Sequence, residues 1–307
     1  MDELFTRYMY YERALQGNRN TTTEALRDFY EKNRYELLTR PETLPNLEAL
    51  ADFWERVYAQ DESFSNDVLK LLFILDYAPN GMWTYLTSVY FMANKDSVGN
   101  LDDADFKDFL ERMIAFIWAY AVERPGVNAL RTPVYPEMVG IVNGEPLSFS
   151  GFKFHRDDIR KRFEAYSFAN GRPITKSMLA WWALSCNEQP LLELSDAYEI
   201  EHIYARKRAE AEGALKDQKN LEALGNKVLL EKRINIRASD YRFEDKKKYY
   251  LGYQDKKGNT KEATKIHELK DFAEKRADFS EDDIEKRTAL MLDAFVDYLD
   301  AEGLLEE

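Results

Sequence analysis

Two short apolar segments in the C-terminal third constrain the fold of this chain most strongly. The first, Ala197 to Ile203, has the residue types of a β-strand and contains the adjacent pair Glu201-His202. The second, Lys227 to Leu230, follows a charged loop and a glycine. Lys232 to Tyr250 then shows helical spacing with a break near residue 239. The pattern predicts a β-hairpin that leads directly into a helix.

Four side chains on these segments have the chemistry required to hydrolyse a phosphodiester with one metal ion. A neutral imidazole, here His202, can take a proton from the attacking water. Mg²⁺ prefers oxygen ligands and retains waters, so the Glu201 carboxylate and the Asn235 amide oxygen are sufficient protein ligands. Neighbouring residues in a strand point to opposite faces, so the strand must end or bend at this pair. We expect Asn226 to bond backbone groups and thereby orient the imidazole.

The C-terminal part resembles the HNH, or His-Me finger, nuclease domain of the GmrSD-type restriction family. The matching pieces are Glu201-His202-Ile203, Leu224-Gly225-Asn226 with Leu229-Leu230, Asn235, the stretch Phe243 to Lys247, Ile284 and Arg287-Thr288. Many relatives carry a proline where Ala205 stands, which bears on the rigidity of the loop.

This resemblance implies a metal-dependent DNA endonuclease of a restriction or phage-defence system. His202 and Asn226 are then the catalytic pair, with His202 as base and Asn226 as the structural asparagine. Glu201 and Asn235 are the metal ligands, and the cofactor is Mg²⁺ or Mn²⁺. Larger relatives join a ParB-like nucleotide-hydrolysing domain to the nuclease, so a domain or subunit of that kind is an expected partner besides DNA.

The charge distribution agrees with a local nucleic-acid surface. The whole chain holds 43 Lys and Arg against 56 Asp and Glu, for a net charge of −13, but counting residues 201–250 gives 13 against 9. A local basic surface attracts phosphates while the acidic remainder repels DNA. The predicted phosphate contacts are Arg206, Lys207, Lys232, Arg233, Arg237, Lys246 and Lys247.

The preceding residues show mainly helical patterns, so the expected fold is mainly α with a small ββα-metal unit in the C-terminal third. We predict a helical connector or regulatory domain at 1–195 and a nuclease domain at 196–307. Thr21 and Glu24 form a plausible capping box, and Asp102 or Asp103 a plausible helix cap. Residues 124–151, rich in proline, indicate a long loop or small hairpin.

Cellular location is constrained only indirectly. A single cysteine, Cys186, argues against a disulfide framework, and the acidic N-terminus lacks the pattern of an export signal. The longest apolar run, Met113 to Val122, is too short to cross a bilayer. We therefore expect a cytoplasmic protein with no membrane partner.

Two other functions remain open at this level. An acid next to a histidine in a strand is often a structural pair, and asparagines near a glycine are often turn residues. The finger could accordingly be a catalytically silent module that binds DNA or a partner chain. RNA is a third possibility, because this chemistry does not depend on the 2′-hydroxyl.

Overall fold

The computed structural model describes residues 1–126, 128–213, 215–239 and 241–306. The chain forms two compact units, each assembled from segments that are distant in sequence. Unit 1 comprises residues 1–72, 80–156 and 299–307, and unit 2 comprises residues 73–79 and 157–298. None of the helices in the described ranges combines the length and apolar content needed to cross a membrane.

Helices build unit 1, as their apolar spacing predicts. They are α1 (Asp2–Leu15), α2 (Leu26–Glu31), α3 (Glu36–Thr39), α4 (Thr43–Ala59), most of α5 (Asn66–Asp76), α6 (Met82–Asn94), α7 (Asp103–Glu123) and α8 (Arg131–Val142). The predicted cap of α7 is confirmed, because the Asp102 carboxylate accepts a hydrogen bond from the Asp105 amide at 3.0 Å. The predicted capping box at Thr21 and Glu24 is wrong, because α2 begins only at Leu26.

The expectation of a loop or hairpin over residues 124–151 is also wrong, because α8 occupies the middle of this segment. Pro133 lies in the first turn, where a backbone N–H has no helical partner to lose. The helix continues through Pro136, and its buried Tyr135 hydroxyl lies 3.0 Å from that of Tyr10. Packing of the apolar side chains has therefore outweighed the helix-breaking tendency of the prolines.

Unit 2 contains the predicted hairpin and the helices around it. Its elements are most of α9 (Arg156–Ala165), α10 (Pro173–Leu184), β1 (Tyr198–His202), α11 (Arg206–Glu212), β2 (Lys227–Glu231), α12 (Lys232–Ala238), α13 (Phe243–Leu251), β3 (Tyr253–Gln254), β4 (Thr260–Lys261), α14 (His267–Lys275) and most of α15 (Glu281–Ala301).

The strands β1 and β2 pair antiparallel, with Tyr198 opposite Glu231 and His202 opposite Lys227. Helix α12 begins directly after β2 and contacts both strands. The helical stretch breaks at Ser239, whose φ of 46° lies in the left-handed region, as the sequence predicts. The order of strand, strand and helix is therefore as expected, while metal binding by this unit stays a prediction.

The compact units differ from the predicted division at residue 195. Residues 157–195 belong to unit 2, where the Trp182 indole donates to Glu268 at 2.9 Å and the Phe168 carbonyl accepts from Lys227 at 2.5 Å. The helices before the hairpin thus help to build its surroundings. Whether residue 195 separates two functions stays a prediction.

Candidate active site

A cleft of about 300 Å³ beside β1 and α12 brings together three of the predicted site residues. Glu201, His202 and Asn235 all line it, although Asn235 lies 33 positions beyond His202 in the sequence. The remaining lining residues are Asn170, Ile200, Arg206, Ile236 and Ser239. His202 is the last residue of β1, so the strand ends where the adjacent acid and imidazole must reach one site.

The Glu201 carboxylate lies at the centre of a buried polar cluster. Its Oε1 accepts hydrogen bonds from Lys246 Nζ at 2.6 Å and from the Tyr250 hydroxyl at 2.8 Å. Lys246 and Tyr250 are fully buried, and Glu201 is nearly so. Burial and the Glu201 charge together raise the pKa of Tyr250 well above its usual value, so this hydroxyl remains a donor.

Lys246 therefore has a different position from the one that the sequence predicts. The sequence predicts a phosphate contact on the surface, but Lys246 Nζ is enclosed by Glu201 and by the His202 carbonyl oxygen at 2.7 Å. A side chain with no exposed surface cannot contact DNA in this structure. The physical reason is that a buried carboxylate is costly without a cation nearby, and α13 supplies that cation.

The imidazole of His202 is buried and electrically neutral at neutral pH. Burial and, next, the positive charge of Lys227 lower its pKa, Glu222 only partly offsets both effects, and the resulting pKa is about 4. Its Nε2 lies 3.5 Å from Glu222 Oε1, and this nitrogen forms no hydrogen bond with any residue in the described ranges. The ring can thus accept a proton.

Glu222 connects His202 to two cations. Its Oε1 accepts from Arg206 at 2.7 Å, and its Oε2 accepts from Lys227 Nζ at 2.6 Å. Partial burial alone would raise the pKa of Glu222, but Lys227, His202 and Arg206 together lower it. Burial lowers the pKa of Lys227, although its hydrogen bond to Glu222 opposes that shift. Glu222 is therefore held as a carboxylate beside the imidazole.

Asn226 joins the two ends of the loop that connects β1 and β2. Its Oδ1 accepts from the Tyr204 amide at 2.7 Å, and its Nδ2 donates to the carbonyls of Tyr204 at 3.1 Å and Leu221 at 2.9 Å. The side chain is fully buried. Its backbone carbonyl also accepts from the Ile203 amide at 2.9 Å, directly after His202. Asn226 therefore restrains the backbone that carries the imidazole.

Residues of helix α15 also form hydrogen bonds with the backbone of this loop. The Arg287 guanidinium binds both Glu268 oxygens, at 2.9 and 2.7 Å, and donates to the carbonyls of Gly225 and Lys227. The Gly225 amide donates to the Thr288 hydroxyl at 3.1 Å. A Cβ at Gly225 would overlap backbone and side-chain atoms of α15, so only glycine permits this approach.

Asn235 is half-buried on α12, and its amide group is oriented by a neighbouring acid. Its Nδ2 donates to Glu199 Oε2 at 2.9 Å. Glu199 and Glu201 are two positions apart on β1, so both project from the same face of the strand. The amide of Asn235 therefore lies on the side of the hairpin that carries Glu201.

The donor set of the cleft suits a hard divalent cation that retains waters. In the described part of the chain, no three His, Cys, Asp or Glu side chains come close enough to hold a metal ion. A cation here would rely on the oxygens of Glu201 and Asn235, and Mg²⁺ commonly binds few protein ligands. Lys246 shares the Glu201 carboxylate and would compete with the cation for its charge.

The other predicted phosphate contacts are at least partly exposed, namely Arg206, Lys207, Lys232, Arg233, Arg237 and Lys247. Arg206 also lines the cleft. On α12, Arg233 is largely exposed and lies 3.5 Å from Glu262, and Lys232 lies 3.6 Å from Glu199. Exposed ion pairs of this length are weak, so both cations can exchange their partners for a phosphate.

A comparison with protein families supports the nuclease interpretation. Residues 153–294 match the family model described as GmrSD restriction endonucleases, C-terminal domain. The match supports a GmrSD-type assignment for this part of the chain. The GmrSD match includes every residue that lines the cleft and the loop-holding residues of α15, and it supports a nuclease of restriction-endonuclease type. No curated protein matches the chain with significance.

Three residues of the site have roles that the sequence does not predict. Glu199 could have been found, because strand alternation places it on the face of Glu201. Glu222 lies in the charged loop, where no periodicity marks one acid among several. The sequence marks Lys246 as a basic residue, but only its contacts and burial show that it lies inside the protein.

Proposed function

We propose that this chain is a metal-dependent DNA endonuclease that hydrolyses phosphodiester bonds by a one-metal HNH mechanism. The observation that carries the proposal is the convergence of Glu201, His202 and Asn235 on one cleft. The GmrSD family match independently supports a nuclease. A role in a restriction or phage-defence system follows from that family and is part of the same proposal.

Glu201 and Asn235 would hold Mg²⁺ or Mn²⁺ through a carboxylate and an amide oxygen. Such an ion, when bound, neutralises charge on the phosphate and on the leaving oxygen. The chain supplies the remaining groups. Arg206, at the edge of the cleft, can exchange Glu222 for a phosphate oxygen, and the exposed cations of α12 can hold the neighbouring phosphates.

His202 would take the proton of the attacking water. Its low pKa keeps the ring neutral in the free protein, so no pre-bound proton blocks this step. A bound phosphodiester would bring negative charge, which favours the imidazolium that forms when the ring takes the proton. Glu222, 3.5 Å from Nε2, stabilises the positive charge that forms on the ring.

A plasmid-nicking assay with purified protein and Mg²⁺ tests this proposal. We expect His202→Ala to reduce the rate by at least about 100-fold, which is the usual contribution of a general base. His267→Ala is the matched control, because this second histidine of unit 2 lies outside the cleft. Equal cleavage by the His202→Ala protein and the wild type would refute the assignment of the base.

The ion pair between Glu201 and Lys246 favours a second possible function. The Glu201 carboxylate is already paired with Lys246 inside the protein, which weakens its attraction for a metal ion. A catalytically silent module that binds DNA or a partner chain fits this pairing. Salt-sensitive DNA binding by the wild type, without cleavage under Mg²⁺, Mn²⁺ or added nucleotide, would support that alternative and contradict the nuclease.

The choice of substrate and partner forms part of the proposal. Parallel cleavage assays on DNA and RNA of the same sequence would show whether DNA is preferred. A ParB-like nucleotide-hydrolysing domain or subunit is the proposed protein partner. Nucleotide-dependent stimulation of cleavage when such a protein is added would support it.

A further inference from the structure

We propose that Glu199 is a positioning residue that turns the amide oxygen of Asn235 toward the cation site. This inference rests on the proposed metal-dependent function and adds a residue outside the predicted set. The Asn235 Nδ2 donates to Glu199 Oε2 at 2.9 Å. No residue in the described ranges donates a hydrogen bond to the Asn235 side-chain oxygen, so that oxygen is available to a cation.

The geometry follows from the alternation of β1. Glu199 and Glu201 project from the same strand face, and α12 contacts that strand. Glu199 therefore accepts a hydrogen bond from the Asn235 amide nitrogen, while Glu201 lines the cleft together with Asn235. The two carboxylates have different partners, because Lys246 and Tyr250 bind Glu201.

An amide has two similar ends, and only the oxygen can bind a cation. A carboxylate accepts hydrogen bonds but cannot donate one, so Glu199 selects the orientation in which the nitrogen faces it. The same hydrogen bond draws electron density toward the amide oxygen and strengthens it as a ligand. Loss of Glu199 would leave the Asn235 side chain free to rotate and would weaken metal binding.

Lys232 also interacts with Glu199, but it does not take the place of Glu199 in orienting Asn235. Its Nζ lies 3.6 Å from Glu199 Oε1, whereas Asn235 binds Oε2, so the carboxylate serves both partners with different oxygens. Half of the Lys232 side chain is exposed, and the ion pair is therefore screened by water. The amide hydrogen bond is shorter and part-buried.

The test is calorimetric titration of metal-free protein with Mn²⁺ in the absence of DNA. We expect Glu199→Ala to weaken Mn²⁺ binding by about 10- to 100-fold, as is typical for groups that orient a metal ligand. Glu262→Gln is the matched control, because it removes another acid beside α12 that contacts Arg233 instead of Asn235. It should change the affinity by less than about 2-fold, since it touches no ligand.

Two further variants separate positioning from a general effect of charge. Glu199→Gln keeps an acceptor of the same length, so it should bind Mn²⁺ more tightly than Glu199→Ala. In the Asn235→Ala background, Glu199→Ala should have no further effect, because the residue that it orients is already missing. Thermal unfolding of each variant checks that the fold is retained.

Unchanged Mn²⁺ affinity in Glu199→Ala would overturn the inference, as would a full additional loss in the Asn235→Ala background. Equal affinities of Glu199→Ala and Glu199→Gln would also contradict it. These results leave the proposed nuclease intact if the wild type binds Mn²⁺ and cleaves DNA. If Mn²⁺ binding by the wild type is absent or unaffected by Glu201→Gln, the proposed metal site fails as well.

Discussion

Replacing Lys246 with methionine should destabilise unit 2 strongly. Methionine has a similar length but no charge, so it removes the hydrogen bonds to Glu201 Oε1 and to the His202 carbonyl. Glu201 would then be a buried carboxylate without its cation, although Tyr250 would still donate to it. Breaking one side of a buried ion pair costs about 3–5 kcal/mol, and we expect a loss in this range.

Urea unfolding monitored by tryptophan fluorescence and circular dichroism measures this loss. Lys248→Met is the matched control, because Lys248 is an exposed lysine of the same helix whose ammonium lies 4.9 Å from the centre of the Tyr249 ring. It should cost less than about 1 kcal/mol. The double variant Glu201→Gln/Lys246→Met should be more stable than Lys246→Met alone, since no unpaired charge remains. Similar stabilities of Lys246→Met and Lys248→Met would refute the buried ion pair.

Two other predictions concern the imidazole and the loop that carries it. In metal-free protein, NMR titration of the ring signals should give His202 a pKa of about 4. Unit 2 should also lose stability as the pH falls from about 6.5 toward 4, because over this range the histidine takes up a proton in the unfolded chain before it does so in the folded protein. A His202 signal that titrates near its usual value would contradict the burial of the ring. Gly225→Ala should lower the free energy of unfolding by at least about 2 kcal/mol, since its Cβ would overlap the backbone of Ile284 and Thr288. An unchanged melting temperature would contradict this prediction, because it would mean that α15 can shift to make room for the added methyl group.

Local structure in the C-terminal third was largely predictable from the sequence. Apolar runs of strand length, a glycine before β2 and helical spacing after it predict the hairpin and the helix. The break at Ser239 is equally local, as is the cap at Asp102 in unit 1, because each depends on a few neighbouring residues. Such signals can be recognised in the sequence because the residues involved lie close together along the chain.

The helix α8 shows where local signals fail. Pro133 and Pro136 indicate a loop, but the burial of Tyr135 and its neighbours stabilises a helix. The missing information is which distant side chains will cover this segment. Tyr10, whose hydroxyl meets that of Tyr135, lies 125 positions away in the sequence.

The amino-acid sequence is sufficient to identify the side chains of this site: an acid and an imidazole at the end of a strand, an asparagine before the next strand and another on the following helix. Their surroundings follow from tertiary packing. It buried Lys246 against Glu201, placed Glu222 beside His202 and turned the nitrogen of Asn235 toward Glu199. The physical reason is that composition sets which charges exist, whereas burial and distance set how strongly they interact, and both depend on how separate elements pack.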